Sequence, residues 1–329
     1  MGGASEPEWF TYRLSGFGFM GVSGHLPGGF GAERSAMAPV LEALNGGCMN
    51  FQFQTPTPLA YFESLVQSDR DMPLLEAAAS LAQDEEVAMD VQQVLADVDR
   101  LLARVQRRIP ETADGLTRLA LLNQFFYADL GFSGNVNNYY APENSYLSEV
   151  LRTRKGIPIS LAVIWLELAR GVGLTAQGVS FPGHFLVKVT LEEGLVMLDP
   201  LNGESLGLDT LAERLAPFRR FDALIEDGDA PLGLHLQACP PRDLLARMLH
   251  NLKEIFRSQD DNARLLAVMD RLVVLLPQGW PEWRDRGLLH AQLGHTAQAI
   301  HDLSRYLENE KQAADVDYLS DRLAELKAA

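Results

Sequence analysis

The sequence predicts an α+β protein: a helical N-terminal part, a buried helix packed on a small antiparallel sheet, and then an array of α-helical hairpins. Three observations predict it. Residues 161–170 form a helical run that is apolar nearly all round, the pattern of a helix buried on every side. Two runs that alternate like strands follow, 184–190 and 195–199. From Asp243 onward the chain returns to paired helices, spaced about one 34-residue period apart.

Composition narrows the functional classes. The chain of 329 residues is 47% hydrophobic and 22% charged, which suffices for a packed core. Its 28 Lys and Arg face 44 Asp and Glu, a net charge of −16. Such a surface repels phosphate backbones and anionic lipid, so neither nucleic acid nor a membrane is expected as a partner. With only Cys48 and Cys239, a disulfide framework and a cysteine-rich zinc site both fail. The low cysteine count suits the cytoplasm. No apolar run approaches the ~18–20 residues of a membrane span. The N-terminus lacks the basic region and apolar stretch of a signal peptide.

Residues 1–55 read as a flexible tail. Eleven of the 27 glycines fall in the first fifty residues, and glycine loses much backbone entropy on ordering. His25 and Cys48 then have no fixed partners, and Met49 offers an alternative start of translation.

Helices follow. Thr57-Pro58 is a start signal, with Thr as N-cap and Pro at the first position; Pro73 and Asp90 open two more. In the Asp90 helix Val91, Val94, Leu95, Val98, Leu101, Leu102 and Val105 trace one apolar stripe. A fourth helix is expected over 116–130. Residues 59–114 hold 12 acids and five Arg, a solvated face or, on a sharper reading, a docking surface for a basic partner. The Asn-rich stretch 132–145 reads as an ordered loop anchored by Tyr139 and Tyr140. A short helix over 146–154 precedes the buried one, which Gly171 and Gly173 stop.

The motifs here carry a resemblance. The chain reads Asn144-Ser145-Tyr146-Leu147, then Arg154-Lys155-Gly156-Ile157-Pro158-Ile159-Ser160-Leu161, Pro182-Gly183-His184-Phe185-Leu186-Val187 and Leu198-Asp199-Pro200. Over roughly residues 56–220 this resembles the SirB family of bacterial transglutaminase-like proteins. The resemblance implies a papain-like core with a nucleophile at the start of the buried helix, a His on one strand and an Asp on the next. It therefore implies Ser160, His184 and Asp199 as the catalytic set, with Ser160 where an active member has Cys. A helix N-terminus and a nearby His bring a thiol pKa to ~3.5–7.5. They cannot do this for an alcohol, which needs a base during attack and a prepared oxyanion hole.

Two readings of these residues stand side by side. They form a Ser-His-Asp triad recognised by geometry, or the relic of a lost site. On the plainer reading Ser160 satisfies a backbone group in the first helical turn, His184 bonds across the sheet, and Asp199 starts an Asp-Pro turn. If Thr190 pairs with Leu195 about Glu192-Glu193, Asp199 lies opposite Leu186 and diagonal to His184, within side-chain reach. Gly203-Glu204-Ser205-Leu206-Gly207 also matches G-x-S-x-G, with Asp222 and His235 after it, but lacks the preceding parallel strands that an α/β-hydrolase elbow requires. It reads as a turn.

In the C-terminal third, Trp283, Gly287, Gly294, Ala299 and Leu303 resemble a tetratricopeptide helix pair. A degenerate earlier copy has Lys253 where Gly287 sits. Helices are expected over 243–256, 262–276, 281–293 and 296–308, with a capping helix over 317–326. Two repeats fall below the ~3 needed for independent stability, so they should pack on the middle of the chain. His290, His295 and His301 have no recognisable metal-ligand spacing, and no cofactor is implied. The expected domains are a tail at 1–55, a transglutaminase-like domain at 56–240 and helical repeats at 241–329. The expected function is a protein- or peptide-binding scaffold; the alternative is a Ser-His-Asp hydrolase or acyl transferase acting on a peptide amide.

Overall fold

Thr57 caps the first helix as its sequence predicts: its Oγ1 accepts the Ala60 N–H at 3.2 Å, and α1 runs Pro58–Leu65. The structure, a computed structural model, describes residues 56–86, 89–222 and 232–328, with side chains left out at 219–222. The expectations about the 1–55 tail, His25, Cys48 and Met49 lie outside the described residues. Next come α2 (Leu74–Ser80), α3 (Val91–Gln106) and α4 (Gly115–Asn123). Asp90 and Asp114 cap the last two by accepting the N–H groups of Gln92 and Thr117. The apolar stripe of α3 is buried at Val91, Val94, Val98, Leu101 and Val105.

The helix expected over 116–130 changes character at Gln124. Residues Gln124–Asp129 form a wider π-helical turn. It leaves Tyr127 donating to the Pro200 carbonyl at 3.2 Å and Phe126 stacked 4.2 Å from Phe132. Propensity does not encode a π turn; contacts to distant segments select it.

The loop expected over 132–145 contains β1 (Ser133–Gly134), which pairs in parallel with β2 (Lys155–Gly156) on either side of α5 (Leu147–Thr153). Arg154 turns the chain between α5 and β2 with φ of 61°. The buried helix is α6 (Pro158–Gly171), with Ile159, Leu161–Trp165, Leu168 and Ala169 all in the core. It ends as a glycine-terminated helix does. Gly173 takes φ of 79°, and Leu174 N–H reaches back to the Ala169 carbonyl at 2.9 Å.

The sheet is antiparallel, β3 (Thr175–Val179), β4 (Leu186–Leu191) and β5 (Gly194–Leu198), in that order. Thr190 pairs with Leu195, and Leu191 with Gly194 closes a two-residue turn at Glu192-Glu193. His184 lies before β4 rather than within it. Its N–H bonds to the Phe181 carbonyl in a turn, and the β3–β4 ladder ends at Val179 and Leu186. Alternation splits the sheet's burial. Val187, Val189 and Leu198 join the main core, whereas Val179, Leu186 and Met197 pack against Leu211 and Leu215 of α7 (Leu208–Asp222). Ser205 pairs with Leu198 as an isolated bridge after the 199–203 turn.

The rest is helical: α8 (Pro241–Ser258), α9 (Asn262–Leu275), α10 (Trp280–Gln292), α11 (Thr296–Asn309) and α12 (Val316–Ala328). Gly287 lets α10 and α11 approach, since a β-carbon there would sit 3.0 Å from Asp302 and Leu303 atoms. Lys253 is buried instead, its ammonium 2.6 Å from Glu282 and 2.8 Å from Asp285 on α10. Residues of α8 and α9 belong to the same apolar core as α1 to α6. Arg271 of α9, 1% exposed, reinforces that contact by bonding to Asp84 and the Ser80 carbonyl.

Candidate functional site

The β4–β5 register sets where Asp199 stands, one residue past the end of β5 and 15 positions from His184. His184 Nε2 lies 2.9 Å from Asp199 Oδ1. The Leu201 N–H donates to the same oxygen at 3.0 Å, and Arg214 of α7 donates to Oδ2 at 3.0 Å. Both members are largely buried, with side-chain exposures of 14% for His184 and 6% for Asp199. Burial alone would raise the Asp199 pKa. The hydrogen bond and charge of His184, the Leu201 N–H and Arg214 outweigh it and bring the carboxyl down to about 2. An ionised carboxylate only accepts hydrogen bonds, so Nε2 carries the proton and donates it.

Ser160 is elsewhere engaged. It is the third residue of α6 and 0% exposed. Its hydroxyl donates to the Asn144 carbonyl at 2.6 Å and accepts the Ile157 N–H at 3.1 Å. The second bond satisfies the backbone N–H of the N-cap residue, whose own apolar side chain cannot cap the helix. Among the described residues no hydrogen bond joins Ser160 to His184. The structure thus hydrogen-bonds two of the three residues the sequence singled out to each other, and bonds the third to the backbone around the helix start.

Four further residues shape the site. Asn144, 3% exposed, receives Asn135 Nδ2 on its Oδ1 at 2.9 Å and donates to the carbonyls of Asn138 and Tyr139 at 2.6 and 3.0 Å. It thereby folds the 135–139 loop. Tyr139, whose phenol burial pushes up to about 12, lies within the fields of Arg247 and Asp199. Arg214 comes from α7 and Arg247 from α8. Asn144 stands in the Asn144-Ser145-Tyr146-Leu147 motif, the one sequence signal for it. Nothing in the sequence marks the two arginines, because each is fixed only by helix packing.

The fold and these contacts define a transglutaminase-like domain followed by tetratricopeptide repeats. The family model described as transglutaminase-like superfamily matches residues 92–250, and that of the tetratricopeptide repeat matches 252–324. The chain belongs to the SirB/UPF0162 family of transglutaminase-like proteins. It is 36% identical over 259 residues to a UPF0162 protein of Xylella fastidiosa strain Temecula1, covering 78% of this chain and 91% of that one. It is 29% identical over 227 residues to UPF0162 protein PM0557 of Pasteurella multocida (69% and 84% of the two chains). Protein SirB1 of Salmonella typhimurium is 28% identical over 216 residues (65% and 78%). No solved structure matches. Among the described residues no helix is long and apolar enough to cross a membrane.

Proposed function

We propose that this chain is a protein-binding scaffold of the cytoplasm. On this reading the transglutaminase-like domain carries a His–Asp pair without a working nucleophile, and the repeats take a protein or peptide. The observation that carries it is the commitment of the Ser160 hydroxyl to Asn144 and Ile157. To attack a substrate, Ser160 would have to give up both bonds, at about 1 kcal/mol each, and leave the Ile157 N–H and the Asn144 carbonyl with their own longer 3.4 Å bond. The net charge of −16 supports a protein partner over nucleic acid.

The His184–Asp199 hydrogen bond favours a second reading, a Ser-His-Asp hydrolase or acyl transferase acting on a peptide amide through a rotated Ser160. Labelling the full chain with a fluorophosphonate separates the two. The scaffold reading expects no labelling of wild type or Ser160→Ala; labelling present in the first and lost in the second would establish the hydrolase. The binding half is tested by a photo-crosslinking residue at exposed Arg305 of α11 and at other exposed array positions in cells. Adducts with protein are expected, and no adduct from any position would remove it.

A further inference from the structure

The turn Ser180–His184 lies outside the ladder that ends at Val179 and Leu186. Its acceptors therefore have no strand partner, although the Phe181 carbonyl takes the His184 N–H. One guanidinium reaches three of them. Arg247 Nη1 donates to Ser180 Oγ at 2.7 Å and to the Phe181 carbonyl at 3.1 Å, while Nη2 donates to the His184 carbonyl at 2.8 Å. Its head also stands 5.8 Å from the Phe185 ring centre. Arg247 is 63 residues from His184 in sequence and belongs to α8, the helix in which the transglutaminase-like match ends at residue 250 and the repeat match begins at 252.

We infer that Arg247 is the positioning residue of the His184–Asp199 pair, so that α8, the helix that runs from the transglutaminase-like segment into the repeats, forms part of the site. Asp199 reaches its place from β5 and is independently held by Leu201 N–H and Arg214. Among the described residues, the backbone of His184 has its own N–H bond to Phe181 and then only the fork of Arg247. The planar guanidinium holds three acceptors in one fixed geometry, which an ammonium cannot copy. The same helix carries His250 and Lys253, one and two turns on, both bonded to Glu282 of α10. A partner that shifts α8 against the sheet would therefore move His184 through a single side chain. This concerns how the pair is held, and it stands or falls separately from the inertness of Ser160.

The charged and titratable groups around the pair include Arg214 from α7, Arg247 from α8, Tyr139 from the 135–139 loop and Tyr127 from the π-helical turn. The test reads the imidazole itself, by nitrogen-15 NMR of histidine side chains in the full chain. Wild type should show one tautomer, protonated at Nε2, with a slowly exchanging ring proton. In Arg247→Ala the two tautomers should mix and that proton should exchange at least about ten-fold faster, the factor expected for loss of roughly one hydrogen bond. Arg247→Lys should fall between. Arg242→Ala is the control for loosening the same helix, since Arg242 bonds to Asp69, Val66 and Leu275 and not to the turn. An unchanged His184 in Arg247→Ala, or an equal change in Arg242→Ala, would overturn the inference. Should Arg247→Ala fail to fold, Arg247→Gln, with one donor arm, is read against the same two outcomes.

Discussion

The Ser160 hydroxyl stands 2.6 Å from the carbonyl oxygen of Asn144, joining the first turn of α6 to the segment that orders the 135–139 loop. A residue that the sequence leaves open between a nucleophile and a partner for a backbone group bonds, in the fold, to two backbone segments. Helix starts leave several N–H groups without intrahelical partners, and a small hydroxyl can answer one while bonding outward.

Ser160→Ala should therefore lower stability by about 1–2 kcal/mol, since it removes two hydrogen bonds and leaves the Asn144 carbonyl and the Ile157 N–H only their mutual 3.4 Å bond. Urea denaturation measures this, and a variant as stable as wild type would show the bonds to be dispensable. Ser160→Cys should give a thiol that alkylates slowly near neutral pH, because the position is 0% exposed. A fast thiol there would mean that His184 and the helix end are aimed at it.

Asp199 predicts an acid limb. Its carboxyl stands at about 2 in the fold against an ordinary 3.8. A depressed pKa gives stability that is fully present above about pH 4 and is lost as the pH falls toward 2. It amounts to something on the order of 2 kcal/mol. Asp199→Asn should be less stable than wild type near neutral pH, with the gap narrowing over that window. A gap that stays constant down to about pH 2 would contradict the linkage.

The shared core of α1 to α6 with α8 and α9 predicts joint unfolding of the residues from 56 onward. Calorimetry should show one transition, and residues 242–329 expressed alone should be poorly soluble or lack a sharp melt. Arg271→Ala should cost about 3 kcal/mol, the lower end for breaking a buried pair, because Asp84 keeps 26% exposure. Two separated transitions, or a cooperative fragment, would break this prediction.

Gly183 has φ of 68°, and a β-carbon there would run into the Phe218 ring. Gly183→Ala should cost about 2 kcal/mol or more, combining left-handed backbone strain with displacement of a packed ring. It should also disturb the His184 turn. Gly207→Ala is the comparison, since a β-carbon there meets nothing within 4 Å; equal losses at the two positions would remove the steric argument.

Much of the architecture was legible because local chemistry repeats along the chain. Thr57 and Asp90 sit at their N-caps, and Gly173 ends α6. The pairing of Thr190 with Leu195 follows from alternation and a short turn at Glu192-Glu193. From it follows the closeness of His184 and Asp199, although His184 reaches it from a turn and not from the strand. The π turn at Gln124–Asp129 and the β1–β2 pairing were not legible. Both are selected by partners far along the chain, which a local pattern does not carry.

By itself the sequence determined the order and kind of the main elements, the buried character of α6, the hairpin register and the acidic surface, because periodicity, caps and charge act over a few residues. Only the tertiary structure decided what Ser160 does. Its neighbour Asn144 is 16 positions away, and which way a hydroxyl turns depends on which acceptor the packed chain brings within 3 Å. The same holds for Arg214 and Arg247, whose helices deliver charge to the pair from outside any motif. Long-range packing sets distances, and distances decide whether a polar side chain fastens the fold or remains available for chemistry.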